Sequence, residues 1–310
     1  MHGRRVVFAP IAVFAFNRPD HLGLTLEALA ANRLAQESHL TIFCDAPRGP
    51  KDADGCRRVG DVARGAKGFA SVTVVQRDSN HGCAASVISG TTEMFTRHER
   101  LIVIEDDIVT SPLTLMYLNQ ALETYERIPA VFSIAAWAPP QRLLRVPDRY
   151  RFNSYFIRRF HCWGWASWRD RWVCNDWSVP GYADYRVDSS MRAAHAEAGS
   201  DLPGMLDAQL AGRIDSWAIR AEYTRFRVGG LTLYPRVPLV RNIGIDGTGR
   251  HCGTHDRYAD DLRGAESILE RPFPDAAYVD RQLSAAFRDV YSNRQILHRI
   301  GRLVFRGSRQ

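Results

Sequence analysis

Residues 101–112 read LIVIEDDIVTSP, a wholly apolar tetrapeptide that stops at Glu105, Asp106 and Asp107 and is followed five residues later by Pro112. Four apolar residues in a row, rich in β-branching, predict a strand buried on both faces, as in the middle of a parallel sheet. Ligands of open α/β sheets bind beyond the carboxyl ends of such strands, which is where the three acids stand. Adjacent carboxylates repel unless a cation offsets them, and a hard divalent ion held by one or two carboxylates, water and phosphate oxygens would do so. The simpler alternative is that the acids end the strand and place negative charge at the start of the next helix. The two-residue period of a strand predicts that Glu105 and Asp107 share a side and that Asp106 points away.

Upstream, apolar runs alternate with helical patterns through the first 135 residues. Strands are predicted at Ile11 to Phe16, Leu40 to Cys44 and Ser71 to Gln76, with helices from Asp20 to Asn32, from Asp54 to Gly65, from Cys83 to Phe95 and from Leu113 to Arg127. That alternation is the pattern of an α/β fold with a mostly parallel central sheet flanked by helices, Rossmann-like in its layout. Asp20 and Ser111 are the expected helix caps.

Past Pro139-Pro140 the chain turns to aromatics and arginines, and six of its seven tryptophans fall between Trp163 and Trp217. The run Trp163-Gly164-Trp165-Ala166-Ser167-Trp168 reads as something other than a simple core strand, because indoles seldom bury fully without partners for their N–H groups. Sugar rings present apolar C–H faces that stack on such rings, which makes Trp163, Trp165 and Trp217 the expected substrate contacts, with Trp168 and Trp172 in the core. Three segments follow: 1–112 as an α/β half that ends just past the acids, 113–270 as an aromatic-rich half, and 271–310 as a basic helical tail.

The 310 residues carry a net charge of +7, almost all of it arginine, which favours an anionic partner without choosing one. The cysteines show no C-x-x-C pair and no metal-ligand spacing, and the expected compartment is the cytoplasm. No apolar stretch is long enough to span a bilayer. From Arg294 to Arg306 apolar residues recur at helical spacing beside arginines, a pattern that suits either an anionic inner membrane surface or packing against the catalytic domain.

Taken in order, AVFAFNRPDHLGLTLEAL (12–29), IFCDAP (42–47), NHGCAASVISG (80–90), LIVIEDDIVTSP (101–112), FHCWGWASWRDRW (160–172), IDSWAIR (214–220) and NIGIDGTGRHCGT (242–254) resemble glycosyltransferases of the GT-A fold. The nearest likeness is to bacterial sugar transferases related to the N-acetylglucosaminyltransferase I group. The resemblance implies an inverting, metal-dependent transfer of sugar from a nucleotide diphosphate sugar, uridine being the expected base, to a glycan or lipid-linked acceptor, with no role for nucleic acid. It implies Mn2+ or Mg2+ on Asp107, ribose on Asp106, and the donor sugar or a metal-bound water on Glu105. By the same likeness Arg18 meets a phosphate, Asp45 meets uracil or ribose, and Asn80 and His81 border the base. His251 arrives on a closing glycine-rich loop, and Asp215 is the general base. Asp215 is also a good helix cap, Asp45 a good turn former, and Arg18 a candidate for pairing with a surface acid. Two other classes remain open: a sugar nucleotidyltransferase, which usually needs a glycine-rich basic loop after the first strand, and a non-catalytic carbohydrate-binding protein.

Overall fold

The computed structural model describes residues 8–247 and 256–292. Ile11–Ala15 (β1), His39–Cys44 (β2), Ser71–Gln76 (β3) and Arg100–Glu105 (β4) form one side of an eight-stranded sheet. Val131–Ala135 (β6), Ser154–Ile157 (β7), Trp165–Trp168 (β8) and Leu231–Pro235 (β9) form the other, in the order β3-β2-β1-β4-β8-β6-β9-β7. Strands β1 to β4 are mutually parallel, while β8 runs antiparallel to both β4 and β6 and β7 runs antiparallel to β9. The molecule is therefore α/β with a large, mostly parallel mixed sheet. That sheet crosses the division expected at residue 112, so the two halves share one core.

Every residue of β1 is buried, and the four apolar residues Leu101 to Ile104 of β4 are fully so, as expected for strands covered on both faces. Helices Pro19–Ala30 (α1), Ala53–Arg64 (α2), Gly82–Arg97 (α3) and Thr114–Tyr125 (α4) supply the cover. Pro19 opens α1, where its missing N–H costs nothing, and Asp20 lies inside the first turn, so it is not the cap. Ser111 Oγ accepts from Leu113 N at 3.3 Å, just ahead of α4.

Strand order explains the site. From β1 the chain steps outward to β2 and β3, then returns to place β4 on the other flank of β1. Where successive connections leave in opposite directions, the ends of the two strands part and leave a crevice. Phe14 of β1 is paired with Glu105 of β4, so the loop after each strand opens into that crevice.

The tryptophan run forms a core strand, contrary to expectation. Trp165 and Trp168 of β8 are 1% and 2% exposed. Two indoles find partners, Trp168 Nε1 donating to Leu122 O at 3.2 Å and Trp172 Nε1 to Thr92 Oγ1 at 2.9 Å, while Trp165 Nε1 is buried with none among the described residues. Trp165 stacks on Trp172 with ring centroids 5.7 Å apart.

A small antiparallel pair, Ile108–Thr110 (β5) and Val240–Asn242 (β10), joins Asn242 to Ile108 and carries residues 243–247 back over the acids. Five short helices follow β8: Arg169–Trp172 (α5), Tyr182–Val187 (α6), Ser189–His195 (α7), Leu202–Leu210 (α8) and Trp217–Arg227 (α9). The last described helix is Arg281–Val290 (α10). No helix among the described residues is long and apolar enough to cross a membrane. The expected basic helix at 294–306 lies outside the described residues.

Candidate functional site

A cleft of about 330 Å3 opens at the C-terminal ends of β1, β2 and β4, lined among others by Phe14, Asn17, Arg18, Asp45, Ser86 and Glu105. Most of the residues predicted for the donor site converge here. The strand ends at Glu105, and Asp106 and Asp107 turn out of it, so the alternation expected of the triplet stops one residue too early. Asp106 does not point away. One nitrogen of Arg18, Nη2, reaches both acids, at 2.5 Å from Asp106 Oδ1 and 2.8 Å from Asp107 Oδ2. The second oxygen of Asp106 accepts from Phe16 N at 3.4 Å, and its carbonyl accepts from Thr25 Oγ1 at 2.8 Å.

Charge balance in this corner is tight. Burial pushes the Glu105 carboxyl up to about 8, helped by Asp107 and Asp106, against the opposing pull of the Trp217 indole and of Arg18. Burial likewise lifts Asp106 to about 6, with Arg18 opposing it and Asp107 adding to it. Burial also works against the Arg18 cation, yet Asp106 and Asp107 outweigh it and hold the guanidinium protonated beyond its ordinary range.

Two polar atoms are left over. Arg18 Nη1 and Asp107 Oδ1 are buried without a hydrogen-bond partner among the described residues, although a buried donor or acceptor left unmade is costly. A group carrying negative oxygens beside a cation would satisfy both, and a hard divalent ion prefers the oxygen donors that Asp107 offers. Asp107 fits a ligand role on this ground. Among the described residues no three His, Cys, Asp or Glu side chains are gathered as a metal cage, so the rest of such an ion's shell would come from phosphate and water.

Residues 243–247 close the far wall. Ile243 N donates to Asp107 O at 2.8 Å, and a Cβ added at Gly244 would collide with Asp107 Oδ2 and stand 2.7 Å from Arg18 Nη1. Only glycine lets the backbone pass this close. His21 Nε2 lies 3.0 Å from Asp246 Oδ2, which ties the same segment to α1. His251 lies outside the described residues.

Asp45 has a structural task. Its Oδ1 accepts from Ala46 N at 3.0 Å and His81 N at 2.9 Å, and its Oδ2 from Gly82 N at 3.0 Å and Asn80 Nδ2 at 3.1 Å. Four donors fill the four acceptor positions of a carboxylate. Asp45 and Asn80 line the cleft while fixing the start of α3, and His81 contributes its backbone, its side chain being exposed.

Asp215 immediately precedes α9, whose cap is Ser216: Ser216 Oγ accepts from Ile219 N at 3.4 Å. The capping role expected of Asp215 thus belongs to its neighbour. Asp215 does not line the cleft, but it and the acid triplet all act electrostatically on the thiol of Cys83, which does. Trp217 is 3% exposed and turns its indole N–H toward Glu105. Trp165 is a core side chain, so its expected ring-stacking contact with a sugar is withdrawn; Trp217 presents an edge to Glu105 and no open face. Trp163 is half-buried and packs edge-on against Trp137, His161 and Tyr258.

Sequence reasoning missed Arg48, held by Asp52 at 2.7 Å and lying over Phe16 at the cleft. It also missed the stack of His161 on Trp137, with centroids 4.0 Å apart, where burial keeps the imidazole neutral. A basic residue in a loop after β2 was the visible signal for the first; nothing local marks the second. No protein-family model matches the chain, and no curated protein matches it either.

Proposed function

We propose that the protein is an inverting glycosyltransferase of the GT-A type that uses a nucleotide diphosphate sugar, with uridine as the expected base, and a divalent cation, Mn2+ or Mg2+. The observation that carries this reading is the pairing of a buried unpartnered cation nitrogen with a buried unpartnered carboxylate oxygen, Arg18 Nη1 and Asp107 Oδ1, at the strand crossover. When bound, the metal would offset the charge that gathers on the departing diphosphate.

The chain's own groups divide the remaining work. Arg18 donates from Nη1 to a diphosphate oxygen, and Asp107 supplies the metal-holding oxygen. Glu105, steadied by Trp217, faces the donor sugar. Asp215 accepts the proton of the acceptor hydroxyl as its oxygen bonds to the anomeric carbon and the bond to the diphosphate breaks. Trp163, at the half-buried end of the aromatic cluster, is the remaining candidate for contact with the acceptor.

Two rival classes fit less well. A nucleotidyltransferase lacks its glycine-rich loop here, since β1 leads directly into Asn17-Arg18-Pro19. A carbohydrate-binding module would need exposed rings, whereas Trp165, Trp168, Trp172 and Trp217 are buried. Titration with uridine diphosphate, with and without manganese, tests the proposal: binding that needs the metal supports it, and metal-indifferent binding or none rejects it.

A further inference from the structure

A second cleft, of about 320 Å3, is lined by Arg158, Glu197, Val279, Arg281, Ser284, Ala285 and Arg288. Arg158 directly follows β7, whose Ile157 is paired with Thr232 near the start of β9. Since β9 runs parallel to β6, and β6 runs with β4, this cleft lies at the far edge and opposite end of the sheet from Glu105. It is a separate place on the molecule.

Helix α10 shapes it. Leu283, Phe287 and Val290 are buried on one face, while Arg281, Ser284, Ala285 and Arg288, at i, i+3, i+4 and i+7, form a stripe along the cleft. The two arginines are about 10 Å apart along the axis. Their long side chains can close on one group lying over Ser284, with Arg158 meeting it from the edge strand. Elsewhere on the surface arginines carry acids, as Arg57 does with Asp54 and Asp61, or Arg151 with Asp275. Here Glu197 lies 3.4 Å from Arg158, and no described acid pairs with Arg281 or Arg288. Three guanidiniums around one carboxylate leave a surplus of two positive charges facing a hollow, in a geometry suited to forked hydrogen bonds to phosphoryl oxygens. The chain's own C-terminal residues are an unsuitable occupant, because 293–310 hold Arg294, Arg299, Arg302, Arg306 and Arg309 and no acid.

We infer that the cleft between β7 and α10 is a binding site for phosphate esters, distinct from the cleft at Glu105. Val279 and Ala285 give it an apolar wall for the part of the ligand that bears the phosphate. The same chemistry is offered by a soluble phosphate ester and by an anionic lipid headgroup.

The experiment uses the full chain and two probes. Inorganic pyrophosphate is titrated without divalent metal into the wild type, Arg18→Ala, and the double variant Arg281→Ala/Arg288→Ala. The expected result is a component of binding that survives Arg18→Ala and weakens at least about tenfold in the double variant, the loss of charge-assisted hydrogen bonds being worth that much. Arg281→Lys/Arg288→Lys retains part of it, and unchanged melting temperatures show that the α10 variants fold. Co-sedimentation with phosphatidylcholine vesicles containing phosphatidylglycerol, lost in the same double variant, identifies the lipid source; pyrophosphate binding without vesicle binding identifies the soluble one. Pyrophosphate affinity that the double alanine change, made in the Arg18→Ala background, leaves within about twofold of Arg18→Ala alone overturns the inference. Because that readout persists in Arg18→Ala, failure here is separable from failure of the proposed transferase site.

Discussion

Arg18 Nη2 lies 2.8 Å from Asp107 Oδ2, while Nη1 of the same guanidinium and Oδ1 of the same carboxylate are buried with no partner among the described residues. The ion pair is half of an arrangement: each residue uses one atom to hold the other and keeps one for something else. Replacing Arg18 by alanine strips the acids of their counter-charge, which costs about 3 kcal/mol for a buried charge left alone. Arg18→Ala is therefore expected to melt well below the wild type and to lose nucleotide binding. Arg18→Lys, which keeps the charge without the fork, should recover most of the melting temperature and little of the binding. Calorimetric melting and titration of both variants check this.

Gly244 makes the close approach over Asp107 possible. Gly244→Ala inserts a methyl group between Asp107 and Arg18, with an overpacking cost of about 2 kcal/mol. Metal-dependent nucleotide binding is expected to fall in this variant even though no charged group has been changed. Gly204, which has open space around it, is the control: Gly204→Ala on α8 should leave binding untouched.

In the buried part of α9, Glu222 accepts from Phe160 N and is chelated by Arg225 through Nε at 3.0 Å and Nη2 at 2.7 Å. Burial alone would raise this carboxyl, but Arg225 and His195 outweigh it and bring it down from 4.5 to about 2. A carboxyl lowered on folding adds stability that is complete above 4.5 and disappears as the pH falls toward about 2. Glu222→Gln should lose about 3 kcal/mol at neutral pH. The gap between wild type and variant should narrow through that acid window. Chemical denaturation across the pH range measures it.

The tryptophans give the simplest comparison. Trp165→Ala opens a cavity between β4 and β6 and should cost at least about 3 kcal/mol. Trp163→Ala, at a half-buried position, should cost much less stability and, if it meets acceptor, should raise the acceptor KM with little change in kcat. A large loss of stability for Trp163 and none for Trp165 would reverse the assignment made from burial.

How far the sequence foretold this arrangement depends on how local the signal was. The first four strands, the crevice acids and Arg18 were legible because apolar runs, turn residues and the order of the motifs all lie within short windows. In strand β8 Trp168 was read correctly as core, and its indole finds an acceptor in Leu122, far away in sequence; Trp165 was misread as a sugar contact, because its N–H is buried with no partner among the described residues, against the rule that guided the reading. Asp45 was read either as a contact for uracil or ribose or as a turn former, while the structure engages its acceptor positions with the neighbouring Ala46 N and with three donors 35 to 37 residues away. The strand period misplaced Asp106 because β4 ends one residue before the alternation could apply. Helix α10 falls within 271–310, the stretch read as a basic helical tail, whereas strand β7 and the arginine cleft had no motif to announce them.

Asp107 and Arg18 are proposed to hold the two sides of a metal-bound diphosphate. Anomalous diffraction from a crystal soaked with manganese and uridine diphosphate tests this directly. A manganese peak at coordination distance from Asp107 Oδ1, with a diphosphate oxygen on Arg18 Nη1, is the expected result. Nucleotide bound elsewhere, or density in the cleft with no metal at Asp107, contradicts it.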